Sequence, residues 1–334
     1  MNDKVIAIID ADYIKYQAAS AGEKRTIEVT HTASGRTKTF NTRTEFYGHH
    51  AKKAGGWLSE LNANRTSPFL VEEFSIVDVQ TPDPIENILH TTRLMYEGCY
   101  KALDTKYHKG SVGKGDSFRV ERSTLLKYKG TRGGLIKPLH LEAVEDYLIH
   151  RLDCQVITEI ENDDWLVMES VANKNKVIVG LDKDYYGQPV TFLNINRVDE
   201  GVQYCDQFGK LWLTEKGDVR GIGRLFLYWQ VASNDESDNY AANCLSDIKW
   251  AGKSAYKELV GCTNDKEAWE ALVSIFKKLY PETKTVKGWR GDDIEIDWLY
   301  VLQECFTMAR MVRYKNEPEV RVIDILSKLG VTYD

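Results

Sequence analysis

Short apolar runs that end in paired acids constrain this chain more than any other feature. Val5-Ile6-Ala7-Ile8-Ile9 leads into Asp10-Ala11-Asp12, and Val177-Ile178-Val179-Gly180-Leu181 leads into Asp182-Lys183-Asp184. Runs this short and β-branched, apolar on both faces, read as strands buried within a sheet. They alternate with helical stretches, a pattern that predicts a parallel sheet in an α/β fold. Ligands of open parallel sheets gather beyond the carboxyl ends of the strands, which is where these acids fall. Two more clusters, Glu161-Asn162-Asp163-Asp164 and Asp235-Glu236-Ser237-Asp238-Asn239, complete the set. In Asp10/Asp12 and Asp182/Asp184 the spacing of two lets both carboxylates project to one side of an extended backbone.

Carboxylates so numerous cannot share a pocket without cations. Two of them about 5 Å apart repel by roughly 3 kcal/mol at an effective dielectric near 20. Oxygen-only ligands suit Mg²⁺ or Mn²⁺ rather than zinc. A turn or helix cap is the commoner role for any one cluster, but the four together point to a metal site. Its candidate ligands are Asp10, Glu161, Asp163, Asp164, Asp182, Asp184, Asp235 and Asp238. Asp12 divides between an acceptor behind the ligands and a helix N-cap before Tyr13.

Composition narrows the class. The chain has 334 residues, 43% hydrophobic and 28% charged, as expected of a globular protein with a well-buried core. No apolar stretch approaches the ~20 residues that span a bilayer. No signal peptide is evident, so a cytoplasmic location is expected. The six cysteines show no zinc spacing and read as reduced thiols. The net charge of −6 argues weakly against nucleic acid, yet its distribution argues for it. Arg119, Arg122, Lys127, Lys129, Arg132 and Lys137 face Glu121 alone between 119 and 137, a cluster able to meet phosphates.

Along the chain, the pattern predicts a strand over 4–9, a helix from Tyr13 to Ala21 and an antiparallel hairpin over 25–40 turning at Ser34-Gly35. An irregular polar stretch then runs from 42 to 83, followed by a helix over 83–101. Gly110 to Gly115 reads as a glycine-rich turn without the full P-loop pattern. Helices over 137–152 and 163–172 alternate with strands over 154–160 and 176–181. Beyond about Val198 helical stretches dominate, at 221–232, 253–259, 267–279 and 294–313, which sets a boundary there.

Taken in order, the motifs resemble those of the 5′-nuclease family: bacteriophage 5′→3′ exonucleases, flap endonucleases and the 5′-nuclease domain of bacterial DNA polymerase I. That family shows a first-strand Asp, Glu-x-Asp-Asp opening a helix, a strand ending Asp-Lys-Asp, and Gly-Asp-x-x-Asp-Asn. The matching positions are Asp10, Glu161 to Asp164, Asp182 to Asp184, and Asp235 to Asn239. Phe118-Arg119 and Tyr128-Lys129-x-x-Arg132 match the family's Phe-Arg and Tyr-Lys-x-x-Arg. The resemblance covers residues 1 to about 260. Asn234 stands where the family has glycine. Gly110 to Gly115 lies where many relatives carry another Asp. The 25–40 hairpin and much of the C-terminal third have no equivalent in compact members.

The resemblance implies a PIN-like nuclease core over 1–197, with a hairpin insertion at about 22–80 and a basic arch at about 110–137. A mainly helical DNA-binding part, helix-turn-helix-like over 241–259, would occupy 198–334. It implies two Mg²⁺ or Mn²⁺ ions, one served by Asp10, Glu161 and Asp163, the other by Asp184, Asp235 and Asp238. Asp182 would lie between them and Asp164 would act through water. Lys129 and Arg132 would meet the scissile phosphate, and Arg119, Lys127 and Lys253 the substrate backbone, with tyrosines 13 and 128 weighed as base-stacking groups. Some relatives bind K⁺ in the loop corresponding to 247–254. The implied partners are DNA 5′ ends, flaps and nicked duplex, with RNA–DNA hybrids a further substrate class. The implied setting is phage DNA replication in a bacterial host cytoplasm. Exonuclease and flap-endonuclease action both fit.

Three rivals stay open. A haloacid-dehalogenase-like phosphatase also begins with a strand and Asp-x-Asp, but leaves the Tyr128 to Arg132 segment and Asp235 to Asp238 unexplained. A PIN-type ribonuclease shares the sheet and the acids but is shorter. A non-catalytic nucleic-acid-binding module would not need acids at all four clusters.

Overall fold

The computed structural model describes residues 4–49, 55–115 and 117–333. The chain opens with β1 (Ile6–Asp10), buried from Ala7 onward, and α1 (Ala11–Ala21). There follow β2 (Glu23–His31), β3 (Thr37–Phe40), α2 (Arg43–Tyr47), α3 (Trp57–Asn62) and β4 (Phe74–Pro82). Next come α4 (Ile85–Lys101), β5 (His108–Gly113), α5 (Phe118–Arg122) and α6 (Leu141–His150). The alternation closes with β6 (Gln155–Ile157), α7 (Asn162–Ala172), β7 (Lys176–Gly180), β8 (Thr191–Asn194) and β9 (Gln203–Tyr204). A hairpin of β10 (Lys210–Leu213) and β11 (Val219–Ile222) precedes α8 (Arg224–Val231). The remainder is β12 (Asn234–Asp235), β13 (Tyr240–Ala241), α9 (Gly252–Leu259), α10 (Asp265–Leu279), β14 (Lys284–Lys287), β15 (Asp293–Ile296), α11 (Trp298–Ala309) and α12 (Val322–Leu329).

The fold is α/β. Its six-stranded sheet runs β6-β5-β1-β7-β8-β9, parallel except for β9. β1 pairs on both edges, with β5 and β7, so an interior strand with covered faces accounts for its unbroken apolar run. Ile8, Ile178, Leu166 and Phe192 pack in one core with Tyr185 and Met311. A larger core joins α8, α10 and α11 through Leu227, Trp269, Leu272, Phe276 and Phe306. In α10 the buried residues Ala268, Trp269, Leu272, Val273 and Phe276 recur at helical spacing, and Asn264 caps the helix by accepting the Glu267 amide.

Two compact units divide the chain. One comprises residues 1–14, 94–136 and 148–334; the other comprises 15–93 and 137–147. The division does not fall at the boundary expected near 198, since the C-terminal third shares a unit with the sheet. The second unit holds β2, β3 and β4 as an antiparallel sheet over an aromatic cluster of Phe40, Phe46 and Phe74. Gly35, at φ 67°, makes the β2–β3 turn.

Several expected elements differ. Gly110 to Gly113 lie inside β5, not in a turn. Glycine here marks close packing: a Cβ on Gly110 would come within 2.5 Å of Cys154 Sγ and 2.7 Å of Tyr96 Cε2. The stretch expected to be irregular contains β4, which pairs along β2 from Glu23↔Pro82 to His31↔Phe74. Its alternation is masked because Asp78 and Gln80 follow Phe74 and Ile76 in the period-two series. The helix expected from 294 begins at Trp298, capped by Asp297, and 293–296 is a strand. Among the described residues no helix is long and apolar enough to cross a membrane.

Candidate acidic active site

The parallel pairing of β1 and β7, with Ile9 opposite Val179, brings their carboxyl ends together. Gly180 makes the approach close, since a Cβ there would lie 3.2 Å from the Asp10 Cβ. Asp10 is buried, and its Oδ1 accepts the Asp12 amide and Asn162 Nδ2, each at 3.1 Å. The first of these bonds caps α1, so of the roles weighed for Asp12 the capping one falls to Asp10. Asp12 itself accepts the Gly113 amide of β5 at 3.0 Å.

Beyond β7, Asp182 accepts the Asp184 amide at 2.8 Å and opens a 3-10 turn over Lys183–Gly187. Asp184 then accepts Gln230 Nε2 from α8 at 2.6 Å. Asp163, in the first turn of α7, accepts the Tyr185 hydroxyl at 2.6 Å. Asp235 accepts the Ser237 amide at 2.9 Å, the Ser237 hydroxyl at 2.6 Å and the Asp238 amide at 3.1 Å. The clusters thus also serve as caps, helix openings and turns. The local and functional readings describe the same residues.

Their charges act on one another. Burial, then the charges of Asp12 and Asp182, raise Asp10 from 3.8 to about 8. Burial followed by Asp10 and Asp182 holds Asp163 well above the usual carboxylate range. Burial, reinforced by Asp182, Asp235 and Asp238, does the same to Asp184. Asp182 and Asp238 are raised as well, again chiefly by burial. Glu161 and Asp235 go the other way. Burial favours their neutral forms, but Arg119 and Lys129 outweigh it at Glu161, and Ser237 and Lys183 do so at Asp235. Residues from all four expected clusters therefore lie within electrostatic reach of each other. Among the described residues, no group of three His, Cys, Asp or Glu side chains is arranged to hold a metal ion as it stands. The donor chemistry nonetheless suits a hard divalent cation, because hard ions take carboxylate oxygens and would relieve this repulsion.

Two expected site residues have other places. Arg119, expected to meet substrate, is 2% exposed. It donates to Glu161, to both oxygens of Asp164 at 2.8 and 2.9 Å, and to the Arg310 carbonyl at 2.7 Å. Asp164, expected among the metal-site acids, is 0% exposed and also receives the Val312 amide at 2.8 Å. The bidentate buried pair engages both terminal nitrogens of Arg119 and both carboxylate oxygens of Asp164. Arg119 is therefore not an open phosphate contact, and both Asp164 oxygens are held within the protein.

Lys129 pairs with Glu161, and Arg132 with Asp238 at 3.1 Å. Lys127 is exposed, its ammonium 5.5 Å from the Trp289 ring centroid. Lys253 is exposed in the first turn of α9. The 247–254 segment contains Trp250, whose indole N–H donates to the Ala232 carbonyl at 2.7 Å. Tyr128 is buried, and its hydroxyl donates to Asp238 at 3.1 Å and to Glu161 at 3.2 Å. Tyr13 meets Cys99 Sγ at 2.9 Å. Both tyrosines are packed rather than presented for stacking.

The loop carrying Lys129 is bonded to the loop carrying Asp238. The Lys129 amide donates to the Asp238 carbonyl at 2.9 Å, and Asn239 Nδ2 donates to the Lys127 carbonyl at 2.8 Å. Arg132 Nε and the Thr131 hydroxyl reach the Ser237 and Glu236 carbonyls, each at 3.1 Å. Lys129 and Asn239 both adopt left-handed backbone, at φ 54° and 58°, a conformation that mutual bonding of this kind can hold.

Sequence reasoning did not single out Lys183, Asn162, Tyr185 or Gln230. Lys183, between the two aspartates of its motif, pairs with Asp235 at 3.1 Å. Asn162 and Tyr185 each adjoin a motif acid, which was the available signal; Gln230 gave none. The fold that carries these residues is α/β with a mostly parallel six-stranded sheet. Neither a family model nor a curated protein matches the chain.

Proposed function

We propose that this protein is a metal-dependent 5′ nuclease hydrolysing phosphodiester bonds at DNA 5′ ends or junctions, with RNA in RNA–DNA hybrids a second substrate class. One observation carries the reading: Asp10, Asp163, Asp182, Asp184, Asp235 and Asp238 interact electrostatically around the ends of β1 and β7, with Lys129 and Arg132 paired to acids of the same group. The mostly parallel sheet is read as a PIN-like core, and 241–259 as the helix-turn-helix-like grip on duplex. Phage DNA replication is the setting that fits this activity.

In this reading Asp10, Asp163, Asp182 and Asp184 would hold two Mg²⁺ or Mn²⁺ ions, with Glu161, Asp235 and Asp238 completing the set. Bound ions supply charge for the phosphate and lower the pKa of the attacking water. The chain supplies the rest. An acidic floor repels a phosphodiester, so Lys129 and Arg132 draw it in, the lysine as a point charge and the arginine as a planar fork. Lys127 and Lys253, both exposed, meet backbone phosphates without reading bases. Hydrolysis adds water across the P–O3′ bond, leaving a 5′-phosphate on one fragment and a 3′-hydroxyl on the other.

The test uses 5′-labelled flap, nicked duplex and RNA–DNA hybrid, each with Mg²⁺ and with EDTA. Cleavage that needs Mg²⁺ is expected. Intact substrates in both conditions would overturn the reading, and hydrolysis of a small phosphomonoester alone would replace it with a phosphatase.

A further inference from the structure

Three of the crowded carboxylates each meet one neutral side-chain donor that the proposed chemistry leaves unused. Asn162 Nδ2 donates to Asp10 Oδ1 at 3.1 Å, the Tyr185 hydroxyl to Asp163 Oδ1 at 2.6 Å, and Gln230 Nε2 to Asp184 Oδ1 at 2.6 Å. The donors are 4%, 0% and 4% exposed. In each case the bond engages Oδ1, and no hydrogen bond among the described residues engages the Oδ2 of Asp10, Asp163 or Asp184.

The two amides share a second feature. Asn162 Oδ1 and Gln230 Oε1 are buried without a hydrogen-bond partner among the described residues. A buried acceptor left unsatisfied is destabilising, and an apolar side chain of similar size would avoid that penalty. What the amides do at their nitrogen ends explains their presence. Their orientation follows from the same contact, since turning either amide over would set carbonyl oxygen against carboxylate oxygen. The surroundings accommodate the donors as well. A Cβ on Gly187 would lie 2.6 Å from Gln230 Oε1, and the Tyr185 ring packs 5.2 Å from that of Phe192.

We propose that Asn162, Tyr185 and Gln230 are positioning residues, each fixing one carboxylate by its Oδ1 and leaving Oδ2 for a divalent cation. The proposal rests on the nuclease reading in taking this acidic cluster as a cation site. Groups that orient metal ligands typically change affinity by about 10–100-fold when removed.

The test measures Mn²⁺ binding to the full chain without DNA, from the electron paramagnetic resonance signal of free Mn²⁺, alongside melting in EDTA. Tyr185→Phe keeps the packed ring and removes only the hydroxyl; Gln230→Leu removes the amide. Each is expected to weaken Mn²⁺ binding about tenfold, while Gln230→Leu melts in EDTA no lower than wild type. A purely packing role would lower the melting temperature and leave Mn²⁺ affinity unmoved, and that result overturns the proposal. Should Gln230→Leu fail to fold, Tyr185→Phe decides alone. A wild-type chain that binds no Mn²⁺ overturns the nuclease reading and this proposal together, whereas normal wild-type binding with unaffected variants overturns the positioning role only.

Discussion

The acidic site has two halves that solve the same electrostatic problem differently. Around Glu161 and Asp164 the negative charge is met by side chains of the chain itself: Arg119, Lys129 and the Tyr128 hydroxyl. At the sheet edge, among the described residues, the hydrogen-bond donors on the carboxylates of Asp10, Asp163 and Asp184 are neutral. The opposite pKa directions at Glu161 and at Asp10, Asp163 and Asp184 follow from that contrast. The first half is a closed ion-pair network that helps the protein fold. The second opposes folding, because carboxylates are buried against like charge, and under the proposed nuclease reading a divalent cation would relieve it.

The largest expected effect tests the closed half. Arg119→Met leaves the buried Asp164 without its guanidinium and Glu161 with Lys129 as its remaining cation among the described residues, and stability measured by urea unfolding in EDTA should fall by about 3–5 kcal/mol. A negligible loss would mean that this half is no better compensated than the other. Asp184→Asn tests the open half. Mg²⁺-dependent cleavage should drop at least about a hundredfold, yet the melting temperature in EDTA should hold or rise, because a repelling charge is gone. Near-normal turnover would remove Asp184 from the site. Lys129→Ala removes the closed half's lysine, and the rate constant at saturating DNA should fall roughly tenfold, about 1.4 kcal/mol, with affinity little changed. If affinity falls and the rate does not, the lysine serves binding alone.

The last test is one of pH. The Asp10 value is about 8 in the fold against an ordinary 3.8. A carboxyl raised by folding stabilises least when ionised, so its contribution is intact below the ordinary value and is lost as pH rises toward 8. Metal-free protein should therefore melt a few degrees lower at the alkaline end of that window than at the acid end, and saturating Mg²⁺ should flatten the slope. A metal-free melting temperature that climbs with pH across the window would contradict the contrast between the halves.

Much of the open half was legible in the sequence because it is built from local rules. Buried parallel strands demand apolar runs, and their ends demand capping acids, so β1, β7 and all four clusters could be read directly. β5 was hidden because glycine normally signals a turn, whereas Gly110 is there to let Tyr96 and Cys154 close in. The closed half was misread for another reason. Arg119 belongs to a basic run expected to meet substrate phosphates, but its burial depends on Asp164 and on the Arg310 carbonyl, 191 residues away. Gln230 is 46 residues from Asp184, and an uncharged amide within an apolar helix carries no mark of its target. Charge patterns announce themselves in a sequence; the partners that absorb them do not.

The interlocked loops of Lys129 and Asp238 bear on how such a site could be borrowed. Each loop supplies main-chain or side-chain bonds that the other lacks, and each contributes one residue in a conformation few side chains adopt unaided. Grafting the lysine-bearing stretch onto a foreign scaffold by itself would strip away the template that shapes it. Anyone transplanting this arrangement would have to move the two segments as a matched pair.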